Sequence, residues 1–451
     1  MSRDPVNIIG AGLCGSLLAI MLAKRGIGVR LYERQDDPRT GKASAGRSIN
    51  LALSARGIRG LRHAGMLAGI EPLLVPMRGR MIHSRDGSTE LQPYGQKPGE
   101  QIYSVSRAAL NRLLIERAAG MDGVSIEFQQ EAAVHDPDDA SVVIRSTVDN
   151  NEYRILGKPI IAADGAGSAV RRAYADSTLI AARESLLPHS YKELTIPATP
   201  DGEHQLATGA LHIWPRGGFM LIALPNPGGN FTVTLFLPDE GDFGFSRLKT
   251  DRDIVSFFDT HFADVRPLIP DLALAFAANP TGMLGTVRCK HWHDRDNFLL
   301  IGDAAHAVVP FHGQGMNLAF EDCVVLDQVV ADSQSDWSDT FEEFERRQLA
   351  NANAIADMAL ENYVEMRDTV RDPKFLLRKV LAFELERRLP ERFIPRYSMV
   401  MFHDEIPYSV AQQRGAVQQK ILQAMTENAE SMQQIDLVAA ARMVRQELDE
   451  I

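Results

Sequence analysis

The sequence predicts an α/β protein: a discontinuous α/β domain, a mixed β-sheet domain inserted into it, and a helical C-terminal region. Three observations predict this. An apolar strand, a glycine turn and a helix recur in VNIIGAGLCGSLLA, KPIIAADGAGSAVRR and NFLLIGDAAH. Residues 189–240 instead carry hairpin-like runs, ALHIWPRGGFMLIALP and GNFTVTLFLP. From about Leu318 the apolar spacing is mostly helical, broken near Pro373, Pro390 and Pro395. The expected division is 1–75, 102–175 and 290–340 for the discontinuous domain, 76–101 and 176–289 for the sheet domain, and 341–451 for the helical region.

Taken in order, VNIIG reads as a buried strand, and Leu13, Leu17, Met21 and Leu22 recur at helical spacing. Gly26 ends that helix and GVRLYE is the next strand. Between Arg78 and Tyr94 short strands alternate with turn signals such as SRDGS. SVSRAALNRLLIERAAG reads as a helix capped by Ser104 or Ser106. KPIIAADGAGS and NFLLIGDAAH each bring another buried strand to a turn.

With 451 residues the chain can bury a large core. A net charge of −11 argues against a nucleic-acid partner, which would require a basic face. No run of about 18 apolar residues is present, and MSRDPVNIIGAG has no charged-then-apolar leader. Cys14, Cys289 and Cys323 are isolated, without CxxC, so neither a disulfide framework nor a zinc cage is expected, and a reducing cytoplasm fits. His291 and His293 in KHWHDRD lack a converging Cys or carboxylate cluster, so no metal is expected.

GAGLCG places Gly10, Gly12 and Gly15 in GxGxxG spacing. Such glycines serve a tight turn, close approach of backbone to a pyrophosphate, and close helix–strand packing. Glu33 ends the following strand, where a carboxylate binds ribose hydroxyls. Strand, helix, second strand and terminal acid agree on dinucleotide binding, without separating NAD from FAD. The second turn, with Asp164 and Gly165 ahead of Arg171 and Arg172, reads by itself as a capped βα turn with a solvated arginine pair. In the third, Asp303 follows a strand, Pro310 opens a fresh turn, and Gly313 and Gly315 permit positive φ before a helix near Met316.

Together GAGLCG, ADGAGS and IGDAAHAVVPFHGQGMN, in that order, resemble the FAD-dependent aromatic hydroxylases. The resemblance implies a Rossmann-like FAD-binding domain, an inserted mixed β-sheet substrate domain and a helical C-terminal region. It implies tightly bound FAD, transient NADPH without a domain of its own, and O2. Asp303 then contacts the ribityl or ribose region, the amides at Gly315 and Met316 face the flavin's pyrimidine end, and Arg107 reaches the pyrophosphate side. The cofactor set extends by resemblance to Leu13, Cys14, Arg34, Arg47, Ala52, Asp164, Pro310, Gly313 and Asn317.

GRSINLALSARG, PMRGRMIH, LQPYG, MALENYVEM and RFIPRYSMV are similar to the kynurenine-hydroxylating members of that family, over nearly the whole chain. Eukaryotic members carry a C-terminal membrane anchor, and this sequence stops without one, like the soluble bacterial form. The resemblance implies hydroxylation of L-kynurenine at C3 in tryptophan catabolism or quinolinate biosynthesis, and admits a homodimer. Arg80 takes the substrate carboxylate, Tyr94 and Tyr397 donate hydroxyls, Asn362 completes the polar end, and Glu365 serves the ammonium or orients Arg80. Asn362 and Glu365 are three apart and share a helix face. Read alone, Arg80 is an ordinary strand arginine like Arg78, and ENYVEM a solvated helix face. Phe311 and His312 touch the substrate ring, His312 as positioner rather than base, and His306 packs or hydrogen-bonds within its turn. Two other readings stay open: a hydroxylase of another aromatic acid, and a non-catalytic flavin-binding redox sensor.

Overall fold

The computed structural model describes residues 5–41, 50–136, 141–155, 159–174, 178–332, 336–370 and 372–451. The chain forms two compact units. The first comprises Met1–Leu74, Ser104–Leu187 and Leu284–Ala356; the second comprises Val75–Tyr103, Pro188–Met283 and Asp357–Ile451.

A six-stranded sheet organises the first unit. Its order is His293–Asp294, Phe298–Leu300, Ile160–Ala162, Val6–Ile9, Val29–Glu33 and Val124–Phe128. All neighbours are parallel except the first pair. The middle strands are buried along their length, which is why they read as continuous apolar runs rather than alternating ones. The fingerprint helix, Leu13–Lys24, is apolar on nearly all sides and buried from Leu13 to Leu22, apart from Cys14. Ser106, not Ser104, caps the helix Arg107–Ala119, its hydroxyl accepting from Ala109 N–H at 3.4 Å.

The strand order explains the sequence spacing of the glycine turns. Strands near residues 6, 160 and 298 lie side by side and run parallel, so their carboxyl ends open on one edge of the sheet. Ala163 N–H donates to Ile9 O at 2.8 Å and Ile301 N–H to Ala162 O at 3.0 Å, which carries this alignment into the turns themselves.

The second unit carries most of a mixed seven-stranded sheet, ordered Thr281–Arg288, Arg183–Ile196, Phe231–Pro238, Met220–Pro225, Ala210–Pro215, Gly79–His83 and Thr89–Pro93. Gly79–His83 pairs parallel to Ala210–Pro215 and antiparallel to Thr89–Pro93. Helices Asp251–His261 and Leu272–Ala278 close one core over the sheet with Trp214, Phe231, Phe258 and Phe262. Helices Pro373–Arg388, Tyr408–Thr426 and Leu437–Glu447 close another around Leu381, Leu385, Phe393 and Val444.

The division differs from the expected one at the C-terminal side. A separate helical region from 341 was expected, but Asp357–Ile451 groups with the sheet. The cause is a set of specific polar contacts: Arg80 to Glu365, Gln92 to Val370 O, and Gln96 to both Phe383 O and Glu386. The sheet segments run 75–103 and 188–283, against the expected 76–101 and 176–289. No helix among the described residues is long and apolar enough to cross a membrane.

Candidate active site

In the first unit the three turns meet at the carboxyl edge of the parallel strands, where open α/β sheets bind ligands. Gly10 adopts φ +99°, and a Cβ there would lie 2.6 Å from Ala163 O. Gly12 caps the fingerprint helix, whose first turn carries no acidic residue. Glu33 accepts from Ala11 N–H at 2.8 Å and from Gln35 N–H at 2.9 Å, so the terminal acid is anchored against the turn that it serves. Leu13 and Cys14 open the helix, and Gly15 is buried beneath it. Arg34 is exposed just beyond the second strand, and Arg107 is exposed at the start of its helix. Arg47 lies outside the described residues.

Asp164 caps the second turn: one carboxyl oxygen accepts from Ala169 N–H at 2.8 Å. The other is buried with no hydrogen-bond partner among the described residues, and burial pushes the acid's pKa up. Asp303 is the exposed first residue of a short helical turn after Gly302.

In the third turn, Pro310–His312 forms a 3₁₀ turn closed by Gly313 at φ +65°. The next helix begins at Gly315, which does not adopt positive φ; the expected left-handed backbone is confined to Gly313. A Cβ at Gly315 would sit 3.6 Å from Val308 and 3.9 Å from the Asp303 carboxylate, ordinary packing distances that leave room for a methyl group. Phe311 and His312 are buried in this turn, Met316 is buried behind it, and Pro310 is exposed. The Asn317 amide donates to Ala52 O (2.8 Å) and Gly313 O (2.7 Å) and accepts from Ser54 N–H (2.9 Å). Its side chain therefore ties the strand at Ala52 to the glycine turn.

A buried network missed at the sequence level holds the GD turn from behind. Asp322 accepts from His306 Nε2 at 2.7 Å, Gly302 N–H at 3.2 Å and Gln348 Nε2 at 3.0 Å. Burial opposes a charge on His306, but Asp322 overrides it and raises the imidazole pKa. The sequence signal was only a His and an Asp sixteen residues apart. Asp322→Ala is expected to lower the unfolding free energy by about 3–5 kcal/mol, because it leaves the buried imidazole and two further donors without their acceptor. Chemical denaturation reads this, and a loss under about 1 kcal/mol, typical of an exposed pair, would reject the clamp.

An extended dinucleotide fits these turns. A Cβ at Gly12, Gly165 or Gly167 would meet nothing within 4 Å, so the turns face open space. The fingerprint helix and the 18-residue helix from Gly315 both direct N-terminal amides and positive dipole ends toward negative groups of a ligand. Among the described residues no His, Cys, Asp or Glu cluster could hold a metal. His291 instead pairs with Glu345 at 2.9 Å.

In the second unit, Arg80 is 6% exposed on the strand Gly79–His83. Its guanidinium donates to Glu365 at 2.9 Å and to Asn362 Oδ1 at 3.4 Å. The rings of Tyr94 and Tyr397 stack at 5.4 Å, with the guanidinium 5.9 and 5.1 Å from their centroids. Glu365 stands where the helix Trp337–Val364 passes into a π-turn, Glu365–Thr369. Burial opposes the Arg80 charge, yet Tyr397 and Glu365 raise its pKa further. Burial pushes Tyr397 up to about 12 and raises Tyr94 well above the ordinary phenol range, so both phenols remain proton donors. The Tyr94 hydroxyl is buried without a well-aligned partner among the described residues. A buried fork, two phenols and an amide are suited to a carboxylate. The five polar residues expected to share a site thus converge in this unit, while Phe311 and His312 belong to the first.

Residues 3–357 match the FAD binding domain family. Over 446 residues, 99% of this chain and 96% of its relative, the sequence is 44% identical to a kynurenine 3-monooxygenase of Myxococcus xanthus. The chain belongs to the kynurenine 3-monooxygenase family. A member from Stenotrophomonas maltophilia is 45% identical over 443 residues, covering 98% and 97% of the two chains. Among solved structures, the tetrameric form of 2-methyl-3-hydroxypyridine-5-carboxylic acid oxygenase superposes with a TM-score of 0.68 at 19% identity, covering 83% of this chain and 95% of that one. This last likeness speaks to the fold.

Proposed function

We propose that this chain is an NADPH- and O2-dependent flavoprotein monooxygenase that hydroxylates L-kynurenine at C3 to give 3-hydroxykynurenine. The observation that carries this reading is the 44–45% identity, end to end in both chains, with kynurenine 3-monooxygenases. FAD supplies the redox chemistry, accepting reducing equivalents from the nicotinamide and activating O2.

The chain's residues bind and orient. Arg80 receives the substrate carboxylate, with Tyr94 and Tyr397 donating beside it and Asn362 closing the polar end. Glu365 holds Arg80 in place and offers its remaining oxygen to the ammonium. The amides at Gly315 and Met316, backed by a long helix dipole, stabilise negative charge at the flavin's pyrimidine end. No side chain must act as a base, because the ring amino group already drives electron density to the carbon ortho to it. Phe311 and His312 are accordingly ring positioners. The three cysteines are free, which supports a reducing, cytoplasmic setting.

The test is NADPH oxidation by the purified flavoprotein with and without L-kynurenine, with products identified by mass spectrometry. Stimulated oxidation with 3-hydroxykynurenine is expected. Its absence, with turnover of a salicylate- or anthranilate-type acid instead, would overturn the substrate and leave flavin binding intact.

A further inference from the structure

The strand Thr89–Pro93 ends at Tyr94, and the chain then leaves the sheet as a loop, residues 94–101. Tyr94 is 5% exposed, and its ring stacks on Tyr397 with the Arg80 guanidinium over it. Among the described residues no well-aligned hydrogen bond fixes its buried hydroxyl. The phenol is therefore aimed through its ring and its backbone. On the strand side, Tyr94 N–H donates to Arg78 O at 3.0 Å. On the other side Gln96, Lys97, Pro98 and Gly99 are all exposed. A loop with so little burial keeps its shape through specific polar contacts.

Those contacts converge on two carboxylates. Glu100, within the loop, accepts from the backbone N–H of Gln96 at 2.7 Å and of Lys97 at 2.9 Å. Glu386 reaches in from the helix Pro373–Arg388. One of its oxygens accepts from Gln96 Nε2 at 2.9 Å and the other from Lys97 Nζ at 2.8 Å. Gln96 Nε2 also donates to Phe383 O at 2.9 Å, on the same helix. The Glu386 side chain is 1% exposed. A carboxylate so far from water needs a partner at each oxygen, and both partners are consecutive residues of the loop. The loop is thus clasped to the helix two residues after Tyr94. Tyr94, the loop and Glu386 all belong to the second compact unit.

We infer that Glu386 is a positioning residue of the substrate site: by clasping Gln96 and Lys97 it fixes the loop side of Tyr94 and so aims the Tyr94 hydroxyl at the substrate carboxylate. The inference rests on the kynurenine reading above. Glu386 acts through Tyr94 and not on the substrate. Hydroxylation takes place on the ring, so the carboxylate is held alike in the ground state and the transition state. Loss of the clasp therefore raises KM and leaves kcat in place.

The experiment is a double-mutant cycle on the KM for L-kynurenine, run with the holoenzyme, Glu386→Ala, Tyr94→Phe and the double variant. Glu386→Ala suits the test because Gln96 and Lys97 are exposed and return to water when their acceptor goes. Tyr94→Phe raises KM by about ten-fold, as for loss of one charge-assisted hydrogen bond. Glu386→Ala raises it by about five- to ten-fold, most of the same effect, with FAD content unchanged. In the Tyr94→Phe background Glu386→Ala adds less than about two-fold, because the hydroxyl that it aims is already gone. Glu386→Gln keeps one acceptor oxygen and falls between. The positioning role is overturned if Glu386→Ala or Tyr94→Phe leaves KM unchanged. It is overturned equally if Glu386→Ala multiplies KM by the same factor with and without the Tyr94 hydroxyl. Should Glu386→Ala fail to fold, Glu386→Gln is read in the same cycle by the same criteria. If the parent forms no 3-hydroxykynurenine, the substrate reading fails first, and the cycle is read on the aromatic acid that is hydroxylated instead.

Discussion

Arg80→Ala is expected to cut kcat/KM for L-kynurenine by about 10²–10³-fold, the usual result of breaking a buried charged contact, with flavin content unchanged. The argument begins with burial. The guanidinium is 6% exposed, lies against two tyrosine rings and is held by Glu365 and Asn362. Truncation removes the fork and leaves Glu365 facing an incoming carboxylate, so attraction becomes repulsion. Arg80→Lys keeps the charge but not the two-pronged planar geometry, and should fall between the two. Adding Glu365→Gln to Arg80→Ala should recover part of the loss, because the remaining like charge is gone. The three glycine turns proposed for the flavin belong to the other compact unit. Product formation and the flavin absorbance of the purified variant read the two effects separately. An unchanged KM and turnover would remove Arg80 from the site.

The dinucleotide half was legible because each of its pieces is local. A buried strand, a glycine turn and a capped helix leave their marks within about fifteen residues, and three such marks stand at Gly10, Asp164 and Asp303. What joins them was not legible, since the adjacency of strands near residues 6, 160 and 298 is a long-range pairing with no periodic trace. For the same reason the Asp322 clamp escaped notice and the C-terminal helices were set apart from the sheet. One side-chain contact, such as Gln92 to Val370 O, has no signature in either segment. Strand alternation could not choose between Arg78 and Arg80, which have the same parity. Arg78 is exposed and Arg80 buried, a difference that their shared parity does not carry. Asn317 was placed in the cofactor set by its motif, yet its side chain binds three backbone groups of the protein. A motif records where a residue recurs, whereas the hydrogen bonds record whom it serves.

Gly10→Ala and Gly12→Ala should both yield protein without its yellow flavin, for different reasons. At Gly10 the backbone sits at φ +99°, where a side chain costs about 1–3 kcal/mol. A methyl group would also lie 2.6 Å from Ala163 O and 2.9 Å from Asp164 Cα, so the first and second turns must move apart. The expected outcome is a lower melting temperature and FAD affinity reduced by about 10³-fold or more, combining strain with loss of the aligned turns. At Gly12 φ is −67° and a methyl group meets nothing within 4 Å, so the fold should survive with its melting temperature unchanged. On the proposed reading, the space that the methyl would enter is the space in which backbone approaches the pyrophosphate. A loss of about 10²-fold or more in FAD affinity there isolates the close approach from any damage to the protein. Flavin absorbance after purification, FAD titration by fluorescence quenching and circular-dichroism melting separate the two cases. Gly12→Ala with native FAD affinity would mean that the pyrophosphate does not lie against this turn, and would take with it the roles of Glu33 and of the helix N-terminus behind it.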